Sequence, residues 1–300
     1  MMANGIEMTA ELDAKQERLE GRLRALGRTL VAYSGGVDSA LLAWAAYRTL
    51  GQGMLALIAD SPSLARAQFE DAVAFAREQR IPLEVIETGE LDNPEYARND
   101  SQRCFHCKDE LFQVMEEFRQ SRGFDSIAYG VNLDDQGDFR PGQRAARDHH
   151  VAAPLLDAGL TKNEVRALAR AAGLRVWDKP ASACLSSRME YGREVTRETL
   201  AVIEQGEAGL RELGFRQFRA RHHGEMVRIE IAPDELPRAL SPEMAAQLVR
   251  VFKPLGFKFV TLDLEGFRSG SMNQLLRLEE LQISQAPAGP TSGQVRPRRA

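Results

Sequence analysis

The chain has 300 residues, enough for about two domains that bury cores without disulfide help. Its 43% hydrophobic and 27% charged residues exclude a disordered or fibrous protein, and a net charge of -4 leaves any affinity for nucleic acid or an acidic membrane to a local basic patch. No run reaches the ~18 apolar residues of a membrane span, and the first residues lack the basic, apolar, small order of a signal peptide, so a cytoplasmic location is expected.

Taken in chain order, Leu12, Leu19, Leu23 and Leu26 fall at helical spacing and predict a surface helix over 11–26. An apolar run over 29–33 predicts a strand that breaks into Ser34-Gly35-Gly36, and a helix follows from Val37 to residue 50. The alternation continues with strands over 54–60, 83–88 and 125–132 and helices over 64–79 and 109–121. Such alternation means a parallel sheet with helices on both faces, so the expected class is α/β, doubly wound and Rossmann-like. Thr161 with Glu164 three residues on is a capping box that opens a helix reaching residue 173. Beyond Pro180 the pattern becomes helix (196–213), strands (215–223 and 226–232), helix (241–252) and strand (257–264), a smaller α+β unit. The expected domains are 1–185 and 186–283, followed by a disordered tail over 284–300 that is rich in Pro, Gly and polar residues.

Ser34-Gly35-Gly36-Val37-Asp38-Ser39 lies between a strand and a helix, where backbone amides converge and the helix dipole favours an anion. The glycines let the backbone curl around phosphate oxygens, Ser34 and Ser39 add hydroxyls, and Asp38 either caps the helix or holds a magnesium ion. A Walker A loop is excluded by the missing Gly-Lys-Ser/Thr ending. Ala59-Asp60-Ser61 and Gly130-Val131-Asn132 end neighbouring strands, where a base would bind in this class of sheet, and Asn132 is the candidate there.

Three cysteines are too few and odd for a disulfide framework and fit a reducing compartment. Cys104 and Cys107 form a C-x-x-C ahead of the helix expected at 109, and loops converging at one edge of the sheet can bring Cys184 to them. Three thiolates suit a [4Fe–4S] cluster with one open iron or, with a histidine such as His106, a zinc site. Arg219 and Arg221 alternate on one strand face and Arg188 lies four residues past Cys184, so the three form either an anion clamp or a solvated face. Glu207 is a weaker candidate for magnesium or a ribose, and His222-His223 read as a strand end.

SGGVDS resembles the signature of the PP-loop pyrophosphatases, which attack the α-phosphate of ATP, release pyrophosphate and leave an adenylylated substrate. Asn132 followed by Asp134 and Asp135 resembles a nucleotide-site motif of the same superfamily. With RCFHCK (103–108), YGVNLDDQGDFRPG (129–142), AGLTKNEVRALA (158–169), WDKPASACLSSR (177–188), FRQFRARHHGEMVRIE (215–230) and VTLDLEGFRSGSMN (260–273), the chain resembles the LarE family over roughly residues 11–275. These are ATP-dependent sulfur transferases that help build the nickel-pincer nucleotide of lactate racemase. The resemblance implies a pyridinium biscarboxylate mononucleotide as substrate, ATP and magnesium at residues 34–39, and a homo-oligomer with sulfide or a cysteine desulfurase as sulfur donor. It implies that Cys184 matches the cysteine from which single-cysteine members give up sulfur, while Cys104 and Cys107 mark the branch that carries sulfur on a [4Fe–4S] cluster. The rival readings are a tRNA thiolase, which net charge and the lack of a basic arm disfavour, and a non-catalytic nucleotide- or cluster-binding scaffold.

Overall fold

The computed structural model describes residues 9–136, 141–180 and 182–268. Helix α1 (Ala10–Ala25) is capped by Thr9, whose hydroxyl accepts the Leu12 amide at 3.2 Å, and it buries Leu12, Leu19 and Leu23. Strand β1 (Thr29–Ala32) is buried throughout and leads into α2 (Val37–Leu50). There follow β2 (Met54–Asp60), α3 (Arg66–Glu78), β3 (Leu83–Glu87), α4 (Pro94–Ala97), α5 (Arg103–Arg122) and β4 (Ser126–Tyr129). The four strands pair in parallel in the order β3-β2-β1-β4.

Both faces of this sheet are covered, as near-continuous apolar strands require. Val31, Met54, Ala56 and Ile58 pack with α1, α2 and α3 on one side, while Leu30, Leu57 and Ile127 pack with Phe112 and Met115 of α5 on the other. Full burial of one such leucine stabilises the fold by about 1.5–3 kcal/mol. The α/β class with a doubly wound parallel sheet is therefore observed. The chain departs from β1 to β2 on one side and returns to β4 on the other, which opens a crevice at the carboxyl ends of β1 and β4.

Three local differences from the sequence reading have physical causes. Helix α5 begins at Arg103, six residues before the predicted start, because Asp100 turns the chain there: its side chain accepts the Gln102 amide at 2.7 Å and its carbonyl the Arg103 amide at 3.1 Å. Asp109, where the helix was expected to begin, and Glu110 after it are in mid-helix. Short helices α6 (Pro141–Asp148) and α7 (Pro154–Asp157) were not predicted, and both start at a proline, whose fixed φ suits the first helical position.

After α8 (Lys162–Ala171) and a 3₁₀ turn (Leu185–Arg188), α9 (Arg197–Glu212) opens the second part. Gly214, at φ +81°, ends α9, with the Phe215 amide reaching back to the Leu210 carbonyl at 3.1 Å, so β5 (Phe218–His223) starts three residues later than predicted. Strands β5 and β6 (Met226–Ile231) are antiparallel, β7 (Phe259–Leu262) lies parallel to β6, and α10 (Leu236–Ala239) and α11 (Pro242–Phe252) intervene. Ala65, Tyr96, Leu185, Val195, Leu200 and Ile203 form a buried cluster where this part meets the first sheet. The tail expected over 284–300 lies outside the described residues.

Candidate functional site

The loop after β1 is shaped for an anion. Gly35 takes φ +71°, and a Cβ there would meet the Ala72 Cβ at 2.4 Å, so both conformation and space require glycine. The Ser39 hydroxyl closes the loop, lying 3.1 Å from the Ser34 hydroxyl, 3.2 Å from the Ser34 amide and 3.1 Å from the Gly36 carbonyl. Gly36 caps α2 without a side chain, so no side chain claims the first-turn amides. Gly130, just past β4, is required by proximity: a Cβ there would fall 2.7 Å from the Ser39 amide nitrogen.

Asp38 faces away from a capping role. Its Oδ1 accepts from the Asn132 side chain at 3.0 Å and its Oδ2 pairs with the Lys162 ammonium. Asn132, expected to meet a base at this strand end, is buried, donates to Asp38 and also caps the turn at Leu133. Lys162 is the first residue of α8, and its backbone amide is held by Asp134 at 2.8 Å. A second lysine, Lys179, donates to the Gly35 carbonyl at 3.0 Å and pairs with Asp71 at 2.6 Å. Burial raises the Asp71 carboxyl, but hydrogen bonds from Lys179 and Arg175 outweigh it and hold the group below its ordinary value.

A cavity of about 600 Å³ opens from this loop across the carboxyl ends of the strands. Its wall includes Ser34, Gly36, Asp38 and Ser39, the apolar stretch Leu57–Ala59, and all three cysteines. Cys104 and Cys107 stand one turn apart on α5, on a helix where the sequence reading had a preceding loop. Cys184 caps the 3₁₀ turn, and all three thiols are free. Burial pushes the Cys107 thiol up to about 12, with Lys108 opposing and Cys184, Glu90 and Cys104 adding to it. Among the described residues no group of three or more His, Cys, Asp or Glu is gathered to hold a metal, so the thiols share a wall without forming a closed ligand set.

The backbone around Cys184 is tightly held. The Leu185 amide donates to the Ser63 carbonyl at 2.7 Å, and the Ser186 hydroxyl meets the buried Tyr96 hydroxyl at 2.5 Å and that of Ser63 at 2.9 Å. Arg188, 1% exposed, donates from Nη1 to the Cys184 carbonyl at 2.8 Å and from Nε and Nη2 to Glu207 at 2.8 and 3.1 Å. Arg188 and Glu207, read from the sequence as separate ligand contacts, pair with each other, and Glu207 also accepts the Ala220 amide at 3.2 Å. The pair's bidentate geometry explains why both tolerate burial.

Arg219 and Arg221 do share a strand face. Arg221 is buried, with Nη2 2.8 Å from Glu230 and Nη1 2.9 Å from the Ser187 carbonyl. Arg219 is half-buried, its guanidinium 4.9 Å from the Phe267 ring centre, and burial together with Arg188 and Arg221 lowers it to about 10 despite Glu207 and Glu230. None of Arg188, Glu207, Arg219 and Arg221 lines the cavity; the cluster connects to it through the Cys184 carbonyl.

The sequence reading missed Lys162, Lys179, Glu90 and Arg103, all but Lys162 in the cavity wall. Lys162 did carry a signal: a cation at the start of a helix opposes the macrodipole, which marks it for an acidic partner.

No protein-family model matches the chain. An uncharacterised protein of Synechocystis is 42% identical over 265 residues, covering 88% of this chain and 99% of that protein. The pyridinium-3,5-bisthiocarboxylic acid mononucleotide synthase of Lactiplantibacillus plantarum is 33% identical over 276 residues, covering 91% of this chain and 98% of that enzyme. A glutamine-hydrolysing GMP synthase of Nostoc is 28% identical over 173 residues, covering 49% of this chain and 32% of that enzyme.

Proposed function

The chain belongs to the family of the pyridinium-3,5-bisthiocarboxylic acid mononucleotide synthases, the LarE family, and from that premise we propose that it is an ATP-dependent sulfur transferase acting on a pyridinium-3,5-biscarboxylate mononucleotide. The observation that carries this reading is that the anion-binding loop and three free thiols open into one cavity. An adenylylated carboxylate formed at the loop would lie within the same enclosure as a sulfur nucleophile.

In the first step the amides at the start of α2, with Ser34 and Ser39, hold the phosphates of ATP. A substrate carboxylate oxygen bonds to the α-phosphorus, and the bond to the β-phosphate oxygen breaks to release pyrophosphate. Lys162 and Lys179 flank the loop and neutralise charge that builds on the leaving pyrophosphate. Asp38 is the residue to hold magnesium; its oxygens are engaged by Asn132 and Lys162, so the ion would share or displace the ammonium. In the second step sulfur attacks the carbonyl carbon of the mixed anhydride, and AMP leaves with the bonding pair.

Cys104, Cys107 and Cys184 have the donor chemistry of a [4Fe–4S] site, though the thiols would have to be drawn together from their places on the wall. When bound, such a cluster supplies an iron at which sulfur can be carried. The chain's own part is to fix the Cys184 segment through Arg188, Ser63 and Tyr96 and to keep water from the mixed anhydride. Arg219 and Arg221 do not line the cavity, so they would reach the substrate's phosphate only from the side of the second sheet.

The test is pyrophosphate release with ATP, magnesium and the biscarboxylate mononucleotide. Release that needs the mononucleotide, and that falls at least about a hundredfold in Lys162→Ala, is expected. Equal release without the mononucleotide would overturn the reading.

A further inference from the structure

Two buried charged groups in the cavity wall lie beside the cysteines, Glu90 near Cys107 and Arg103 near Cys104 and Cys184, yet among the described residues neither has an ion-pair partner of its own. Glu90, 2% exposed, follows β3; its Oε1 accepts from the Ser61 hydroxyl and its Oε2 from the Thr88 hydroxyl at 2.6 Å. Arg103, 4% exposed, opens α5; its Nη1 donates to the Asn99 side chain and, at 2.9 Å, to the Ser186 carbonyl. Both line the same cavity. Among the described residues no cation pairs with Glu90 and no carboxylate pairs with Arg103, so every hydrogen-bond partner found for either is formally neutral.

Arg188 and Arg221, buried to a similar degree, each have a carboxylate. The fold therefore matches buried charges where it is able to. It also invests in keeping Arg103 in place. Asn99 is fully buried at φ +57°, and its side-chain amide donates to the Glu190 carbonyl at 2.8 Å while its carbonyl accepts the Gly192 amide at 3.0 Å. Asparagine accepts the left-handed conformation better than most residues, but the position is still strained, and strain of this kind persists where the surroundings over-determine it. An unmatched buried cation and an unmatched buried anion on one cavity wall are costly to the empty protein. A ligand that carries both complementary charges removes both costs.

We propose that the substrate's ring seats between these two groups, with the ring cation toward Glu90 and the carboxylate that is not reacting held by the Arg103 fork. The proposal rests on the pyridinium reading above. A ring nitrogen bonded to ribose carries a permanent positive charge and no proton, so it offers no hydrogen bond, and a nearby carboxylate recognises it by charge alone. A planar carboxylate suits the planar guanidinium. Glu90 then selects against dicarboxylates whose aromatic ring carries no charge, and Arg103 fixes which carboxylate faces the loop.

The arrangement also accounts for two conversions at one site. Substituents at positions 3 and 5 exchange when the ring turns over about the axis through its nitrogen, which is rotation about the bond to ribose. The ring charge stays beside Glu90, the new thiocarboxylate moves to Arg103, and the second carboxylate moves to the loop.

The experiment is calorimetric titration of the full chain, purified without oxygen, with the pyridinium-3,5-dicarboxylate mononucleotide and with its benzene-ring C-nucleotide isostere. Wild type is expected to bind the pyridinium form at least about tenfold more tightly. Glu90→Gln, whose carbonyl oxygen still accepts from one of the Ser61 and Thr88 hydroxyls while its amide donates to the other, should bring the two affinities together. Arg103→Lys should weaken both by about tenfold and leave their ratio intact; if that variant does not fold, the ratio in Glu90→Gln decides. A Glu90→Gln protein that discriminates as well as wild type overturns the seat while the pyridinium reading stands. Wild type that binds neither nucleotide overturns that reading, and the seat with it.

Discussion

Replacing Gly130 by alanine tests whether the end of β4 presses on the phosphate loop. The new Cβ would stand 2.7 Å from the Ser39 nitrogen and 2.9 Å from the Asp38 carbonyl carbon and the Ser39 Cα, all backbone atoms that cannot rotate away. Restoring an ordinary 3.4 Å contact requires about 0.7 Å of movement, since 3.4 − 2.7 = 0.7, at the first turn of α2. Overpacking of this size costs about 1–3 kcal/mol, and each kcal/mol lowers the melting temperature of a domain this large by roughly 2–4 °C. The same shift misaligns amides that meet phosphate, so ATP affinity should fall by at least about tenfold, the equivalent of one lost charge-assisted hydrogen bond. Gly21→Ala is the control: nothing lies within 4 Å of its Cβ, it sits mid-helix in α1, and it should stabilise by about 0.5–1 kcal/mol. Thermal melts and ATP titrations of the two variants decide the matter. Gly130→Ala protein that melts and binds ATP as wild type does would refute the close approach.

Three further outcomes are expected. Arg188→Met should destabilise by about 3–5 kcal/mol because it leaves Glu207 buried and unpaired, and adding Glu207→Leu should recover part of the loss; denaturant melts that find the double variant worse than the single would contradict this. Asp71 has a carboxyl held below its ordinary value, so its contribution is fully present above the unfolded value of about 3.9 and is lost as pH falls through the lower folded value. Melting temperature should therefore drop below about pH 4 less steeply in Asp71→Asn than in wild type, and parallel curves would show that Lys179 and Arg175 do not act through it. Asp38→Asn should keep the melting temperature within a few degrees, since the lost ion pair is partly exposed, yet abolish most adenylylation; normal pyrophosphate release would remove the metal-holding role.

The first sheet was legible because its signals are local. Apolar runs at 29–32 and 54–60 are too short and too continuous for helices, and the glycine pair between strand and helix has few other uses. The start of α5 was not legible: the helix was expected at Asp109, and only the Asp100 hydrogen bonds reveal that it begins earlier and carries the C-x-x-C on it. The roles of Arg188 and Glu207 were hidden for a different reason. Their partnership depends on how α9 lies against the 3₁₀ turn, a tertiary fact with no trace in the spacing of 19 residues that separates them. Glu90 and Arg103 were overlooked because an isolated charge in a loop or at a helix start reads as surface until its burial is known.

The central claim is sulfur transfer to the carboxylates of a pyridinium nucleotide, and mass spectrometry of that nucleotide tests it most directly. The protein, kept from oxygen, is incubated with ATP, magnesium, a sulfide source and the biscarboxylate mononucleotide. The account predicts species in which one and then two carboxylate oxygens are replaced by sulfur, formed with AMP and pyrophosphate in step and absent from Cys184→Ala. A nucleotide that returns unchanged while ATP is consumed would contradict it.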